Sequence, residues 1–264
     1  MLTPCHTETY SSYTNTLPRA LNAIGAVDVL AEQNNILIKP NLVNASPPPV
    51  TLPVVAVEEL VRYIRTCSNA RIVIGEGCEE KQLETDELFR IHGYERLVQE
   101  YGVELLDLNH APLCRLSNPD CQIFPEIWLP EIVMDAYLVS FAVLKAHSLA
   151  DVTLSMKNLI GCAPPAHYQQ GGHWKKSAFH AHMHESILDL NRYRKPDLAL
   201  LDASIGMAEY HLGGPPCEPP TGKFVAGFDP VAVDAAGAGL LGFDWRQIPH
   251  ISKADGLLGD AEHL

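Results

Sequence analysis

Short apolar runs alternate with segments of helical periodicity along most of the chain. Residues 35–39 (NILIK) predict a strand closed by Pro40, which has no N–H to give a ladder. After three successive prolines at 47–49, residues 52–67 place Val54, Val57, Leu60, Val61 and Ile64 on one helical face. Residues 71–75 (RIVIG) predict a second strand, 85–101 a second helix and 103–108 (VELLDL) a third strand. Strand and helix in alternation point to a parallel sheet. Residues 112–130 carry four prolines and predict an edge hairpin or covering loop. The most apolar strand candidate, 136–144 (AYLVSFAVL), is expected at the centre of the sheet. Residues 152–160 then predict a helix, and 161–179 a loop rich in Gly, Pro and His, long enough to serve as a lid or to be disordered in part. Helix is expected at 185–193 and strands at 197–202 and 222–227. At 229–241 the expectation is a helix capped by Asp229 with Pro230 in its first position. The fold class expected is α/β: a mostly parallel twisted sheet with helices on both faces, Rossmann-like, with irregular insertions. A single domain is expected over the 264 residues, with no repeat and no linker composition.

Composition narrows the partners. Lys plus Arg is 19 and Asp plus Glu is 32, a net charge of −13, so nucleic acid and anionic membranes are not expected partners. The first ten residues hold no basic segment followed by an apolar run, and no stretch approaches the ~20 apolar residues of a membrane span; a cytoplasmic location is expected. Seven cysteines lie scattered without any C-x-x-C, as expected of small core residues in a reducing compartment.

In open parallel sheets ligands bind beyond the carboxyl ends of the strands. The residues there are Lys39 and Asn41, Glu76, Asn109 and His110, Lys145 and His147, and Asp202 and Ser204. Singly, each reads as a strand-end cap; together, two lysines and a histidine at one sheet edge read as a site. In an acidic chain, Lys39 and Lys145 facing one crevice attract a carboxylate, phosphate or enolate-like group, and burial makes either a candidate base. The competing reading for each is a salt bridge to Glu76 or Asp202. On a helix from residue 152, Ser155 and Asn158 share a face, and Thr153 or Ser155 at its first turn offers a hydroxyl and free N–H groups to an anion. Lys157 reads on spacing alone as solvated surface. Five of the 12 histidines fall between 167 and 184, and His180, His182 and His184 have a spacing compatible with a divalent metal ion, or with an exposed histidine-rich loop. No Walker A, G-x-G-x-x-G or G-x-S-x-G pattern is present.

The runs IKPNLV at 38–43, K-x-H at 145–147 with SMKNLIG at 155–161, His184 with DLN at 189–191, KPD at 195–197, LDASIGM at 201–207 with GGP at 213–215, and GFDPVAVD at 227–234 resemble, in this order, the family called domain of unknown function 362. The resemblance spans about 35–259. It implies prokaryotic relatives, some with ferredoxin-type iron–sulfur modules. No ferredoxin cysteine pattern occurs here, so no iron–sulfur cluster is expected in this chain. It also implies that Lys39, Asn41, Lys145, His147, Lys157, Asn158, Asp202, Asp229 and Asp234 occupy motif positions, which moves Lys157 from surface to site and offers Asp234 as a partner for a lysine. The favoured expectation is an enzyme acting on a small anionic ligand. Lys145, His147 and Lys157 are its catalytic candidates. Lys39, Asn41, Glu76, Ser155, Asn158 and Asp202 are its binding candidates, with metal assistance at the three histidines. The alternatives are a redox-associated or regulatory subunit partnering an iron–sulfur protein, a homo-oligomer, or a non-catalytic metal-binding protein.

Overall fold

A computed structural model describes residues 5–262. Its strands are β1 (Cys5–Thr9), β2 (Asn35–Pro40), β3 (Arg71–Glu76), β4 (Glu104–Asp107), β5 (Leu113–Ser117), β6 (Glu126–Pro130), β7 (Tyr137–His147), β8 (Asp151–Thr153), β9 (Leu198–Met207) and β10 (Lys223–Gly227). The main sheet runs β1-β10-β9-β7-β2-β3-β4, with β8 paired on β7. Neighbours from β9 through β4 are parallel; β10 and β1 extend the β9 edge antiparallel. A mostly parallel sheet in a mixed α/β fold is therefore present, and β7 is central to it.

Alternation within the strands builds two cores. Leu37, Leu138, Ala142 and Leu144 face one side of the sheet, whereas Ile36, Ile38, Val139, Phe141 and Val143 face the other. The helix Val54–Cys67 buries Ala56, Val57, Leu60, Val61 and Ile64 against the second core. Pro230–Leu240 lies in the first. The latter helix starts as its sequence predicts: Asp229 accepts hydrogen bonds from the N–H groups of Val231 and Ala232 at 2.9 and 3.3 Å.

Several expectations change. The helix expected at 85–101 is two, Thr85–Ile91 and Glu95–Tyr101, because Gly93 turns the chain at φ 77°. The segment at 112–130 forms the separate hairpin β5-β6. The N-terminal strand β1 and the helices Tyr13–Ala23 and Ala26–Ala31 have no counterpart in the sequence reading. An edge strand reading CHTET shows little apolar pattern, and the first helix carries Pro18 in its interior, which weakens its helical signal. Most consequential is 152–160. Val152 and Thr153 pair antiparallel with Ala146 and Lys145 as β8, and only Ser155–Asn158 is α-helical. The N–H groups of Ser155 and Met156 point at the side chain of Asp234, at 2.8 and 3.0 Å. The helix start that the sequence offered to an anion is thus filled from within, and Asp234 partners backbone rather than a lysine.

Removing that acceptor strands two buried donors. Asp234→Ala is expected to cost about 2–4 kcal/mol in urea unfolding; a loss within the ~0.5 kcal/mol of an ordinary surface change would show that the helix start does not depend on it.

Candidate functional site

Strand order reverses between β2 and β7: β3 and β4 continue from one side of β2, and β7 and β9 lie on the other. A cleft opens at that point, beyond the carboxyl ends of the parallel strands. Lys39, Asn41, Glu76, Lys145, His147, Lys157, Asn158 and His180 line it. The reversal brings β2 and β7 side by side, so residues 106 positions apart in the chain, Lys39 and Lys145, share one floor.

Hydrogen bonding gives each cation a different role. Lys39 is 1% exposed, and its ammonium meets Glu76 Oε1 at 2.6 Å, the Pro40 carbonyl at 2.9 Å and Asn158 Oδ1 at 3.3 Å, which accounts for all three of its protons. The salt-bridge reading is correct for this lysine: it is held beneath the site. Glu76 in turn accepts from the N–H groups of Leu42 and Gly77 at 2.9 and 2.8 Å. Asn158 accepts from Asn41 at 3.0 Å and donates to the Lys39 carbonyl and Ser140 Oγ, both at 3.1 Å. Asn41 Oδ1 accepts from Lys145 at 2.7 Å, and Lys145 also donates to the Val50 carbonyl at 2.6 Å. No carboxylate pairs with Lys145 among the described residues. Burial first, then the neighbouring Lys157 charge, pull its pKa down to about 7.

Lys157 stands apart. It lines the cleft and is partly exposed, and among the described residues its amine has no hydrogen-bond acceptor and no carboxylate within ion-pair distance. Burial, with Lys39 adding to it, lowers its pKa, and Glu79 opposes the shift.

His147 cannot serve as the proton acceptor that its position suggested. Its Nδ1 accepts from the N–H groups of Leu149 and Ala150 at 3.0 and 3.2 Å, so the neutral ring carries its proton on Nε2. Burial, Lys157 and His211 all hold the pKa far below the ordinary histidine value. The ring stacks on His211 at 3.9 Å, and burial together with the Lys157 charge takes His211 down to about 3.

Four sequence-predicted residues lie elsewhere. Ser155 is buried with its hydroxyl unpartnered, outside the cleft. Asp202 accepts from the Tyr13 hydroxyl at 2.7 Å and the Ser204 N–H at 2.9 Å, toward the N-terminal helix. The three histidines do not converge: His180 faces the cleft, His182 is exposed, and His184 Nδ1 meets His250 Nδ1 at 2.9 Å. Neighbouring imidazoles at i,i+2 diverge because this stretch is a 3₁₀ turn running into helix rather than an extended strand. Among the described residues, the metal-type donors that gather within 4.8 Å of one another are those of Glu84, Asp107 and His110, on a different and largely exposed surface.

The sequence reading missed Glu79, Trp174, Tyr210 and His211, all on the cleft wall; Thr153, which it offered as an alternative to Ser155, lines the cleft with them. β9 continues past the polar Asp202 to Met207, with a register shift opposite Val143 and Lys145, so its true end delivers Tyr210 and His211. The segment at 161–179 is folded: Lys175 N–H donates to the Glu79 carbonyl at 2.9 Å, Trp174 bridges to Glu80, and the buried Lys176 ammonium donates to the Gly161 carbonyl at 2.5 Å. Gly161 is required there, since a Cβ would sit 2.5 Å from Lys39 Cε and 2.6 Å from Glu76 Oε1.

A family model described as Domain of unknown function (DUF362) matches residues 36–239. The chain belongs to the DUF362 family. Its matched span holds every cleft residue named above. No curated protein matches the chain.

Two measurements check this electrostatic picture. Nitrogen NMR is expected to show His147 as the neutral Nε2–H tautomer from pH 5 to 8; an imidazolium in that range would refute the assignment. Lys145 carries the second. An unfolded lysine titrates near ~10.4, and the folded one near 7. Between those values the unfolded chain holds a proton that the native protein lacks, so stability from this group is lowest below pH 7 and rises with pH. Stability of the wild type minus that of Lys145→Met is expected to grow by about 2–3 kcal/mol from pH 6.5 to 9. A flat or falling difference would show that the amine is not desolvated.

Proposed function

We propose that the protein is an enzyme acting on a small anionic metabolite in the switch-point cleft, with proton transfer by the amines of Lys145 and Lys157. The observation that carries this reading is the unpaired amine of Lys157 beside the low-pKa amine of Lys145. An ammonium without an internal partner has its attraction left for a ligand, and a low-dielectric wall strengthens it. Lys39 adds no net attraction, because Glu76 neutralises it.

The roles divide by hydrogen-bond inventory. Lys145 has two protons committed to Asn41 and Val50, so in its charged form one N–H remains for a ligand oxygen, and in its neutral form a lone pair takes that place. A group that changes between these forms near neutral pH is matched to general acid–base work. His147 offers Nε2–H as a fixed donor to an oxygen that gains negative charge. Thr153, whose hydroxyl has no partner, lines the same wall. Leu149 and Tyr210, 50% and 44% exposed, stand on the cleft wall where a less polar part of the ligand fits.

Calorimetric titration with oxalate, malonate and inorganic phosphate tests the reading. Binding is expected at pH 6.5, weaker at higher salt, and weaker again above pH 7 as Lys145 loses its proton. Lys157→Met is expected to weaken it at least about tenfold, roughly 1.4 kcal/mol. Failure of all three anions to bind the wild type, or unchanged binding by the variant, would overturn the proposal.

A further inference from the structure

Three lysines meet at this cleft, and among the described residues the fold leaves only one of their amines without any partner. Lys39 is enclosed by three acceptors, and Lys145 is tethered by Asn41 and Val50 and is 0% exposed. Lys157 has neither tether nor ion pair among the described residues, and it opens on the cleft. An amine denied acceptors and placed beside other cations is held toward its neutral, nucleophilic form. Solvated surface lysines lack both conditions.

We infer that Lys157 forms an imine with the carbonyl carbon of a small oxo acid. This rests on the cleft being the anion site proposed above and adds a covalent step to it. The carboxylate of such a substrate takes the remaining N–H of Lys145 and the Nε2–H of His147, which leaves its adjacent carbonyl to Lys157. The amine lone pair forms the N–C bond while the C=O π pair moves to oxygen. That oxygen collects a proton, with the Thr153 hydroxyl, buried and otherwise unpartnered, as the hydrogen-bonding group beside it. The carbinolamine then expels its oxygen as water as the nitrogen lone pair closes the C=N bond. Overall an ammonium and a carbonyl become a protonated imine and one water, with no oxidant or reductant. The Glu79 carboxyl, on the same wall and electrostatically coupled to Lys157, takes and returns the proton that moves. The iminium so formed acidifies the neighbouring carbon, a use for the second amine at Lys145.

Reductive trapping on the wild-type chain decides the matter. The protein is incubated with pyruvate and cyanoborohydride at pH 7, digested and mapped by mass spectrometry, with and without oxalate. The expected result is the reduced pyruvate adduct on Lys157, forming about tenfold or more faster than on the exposed Lys81, Lys195 and Lys253, and slowed by oxalate. Lys157→Arg, which keeps the charge but cannot form an imine, is expected to lose that adduct. Adducts spread over surface lysines, or centred on Lys145, would overturn the inference. Oxalate binding without any Lys157 adduct would overturn the imine and leave the anion site standing. A Lys157 adduct that oxalate does not slow would support the imine and count against the anion site.

Discussion

Burying Lys39 against Glu76 at the point where strand order reverses is the constraint on which the rest of the site depends. Two charges taken out of water are tolerable only when every lone pair and proton finds a partner. Here Pro40, Asn158, Leu42 and Gly77 complete that set. The pair joins the ends of β2 and β3, and through Asn158 it joins both to the short helix that carries Lys157. Asn41 continues the chain of hydrogen bonds to Lys145 on β7. One connected buried network therefore sets the relative positions of all three amines. Such a network is rigid for the same reason that it is costly to break: any missing member leaves a buried polar group without water.

The same network explains an apparent conflict of charge. The protein carries a net −13, yet three lysines line the cleft. Charge far off on a solvated surface is screened within about 8–10 Å. Within the cleft, Glu76 is spent on Lys39, and Glu79 is left to offset the others. Desolvation and mutual repulsion then act on Lys145, Lys157 and His147 together, and each is shifted toward its neutral form.

Much of this was legible in order but not in role. Lys39, Asn41, Glu76, Lys145 and His147 were found because a polar residue just past an apolar strand marks a carboxyl edge. Lys157 read as surface by spacing, since its helix has one turn and no periodicity to show which face is inward; family resemblance placed it. Asp202 misled for the opposite reason: a polar residue inside a strand that continues looks like a strand's end. Tyr210 and His211 were lost with it. The spacing of the histidines at 180, 182 and 184 suits one metal ion on an extended chain, or through His180 and His184 on a helix, but a 3₁₀ segment running into a helix only at Met183 sends them apart.

What the sequence determined by itself was the class of fold and the rim on which chemistry gathers, because period-two apolar runs and their polar endings are local signals. Which lysine is spent, which is tethered and which is free was decided by tertiary structure alone. A proton's partner is set by distances of about 3 Å between elements far apart in the chain, and no local pattern encodes those distances.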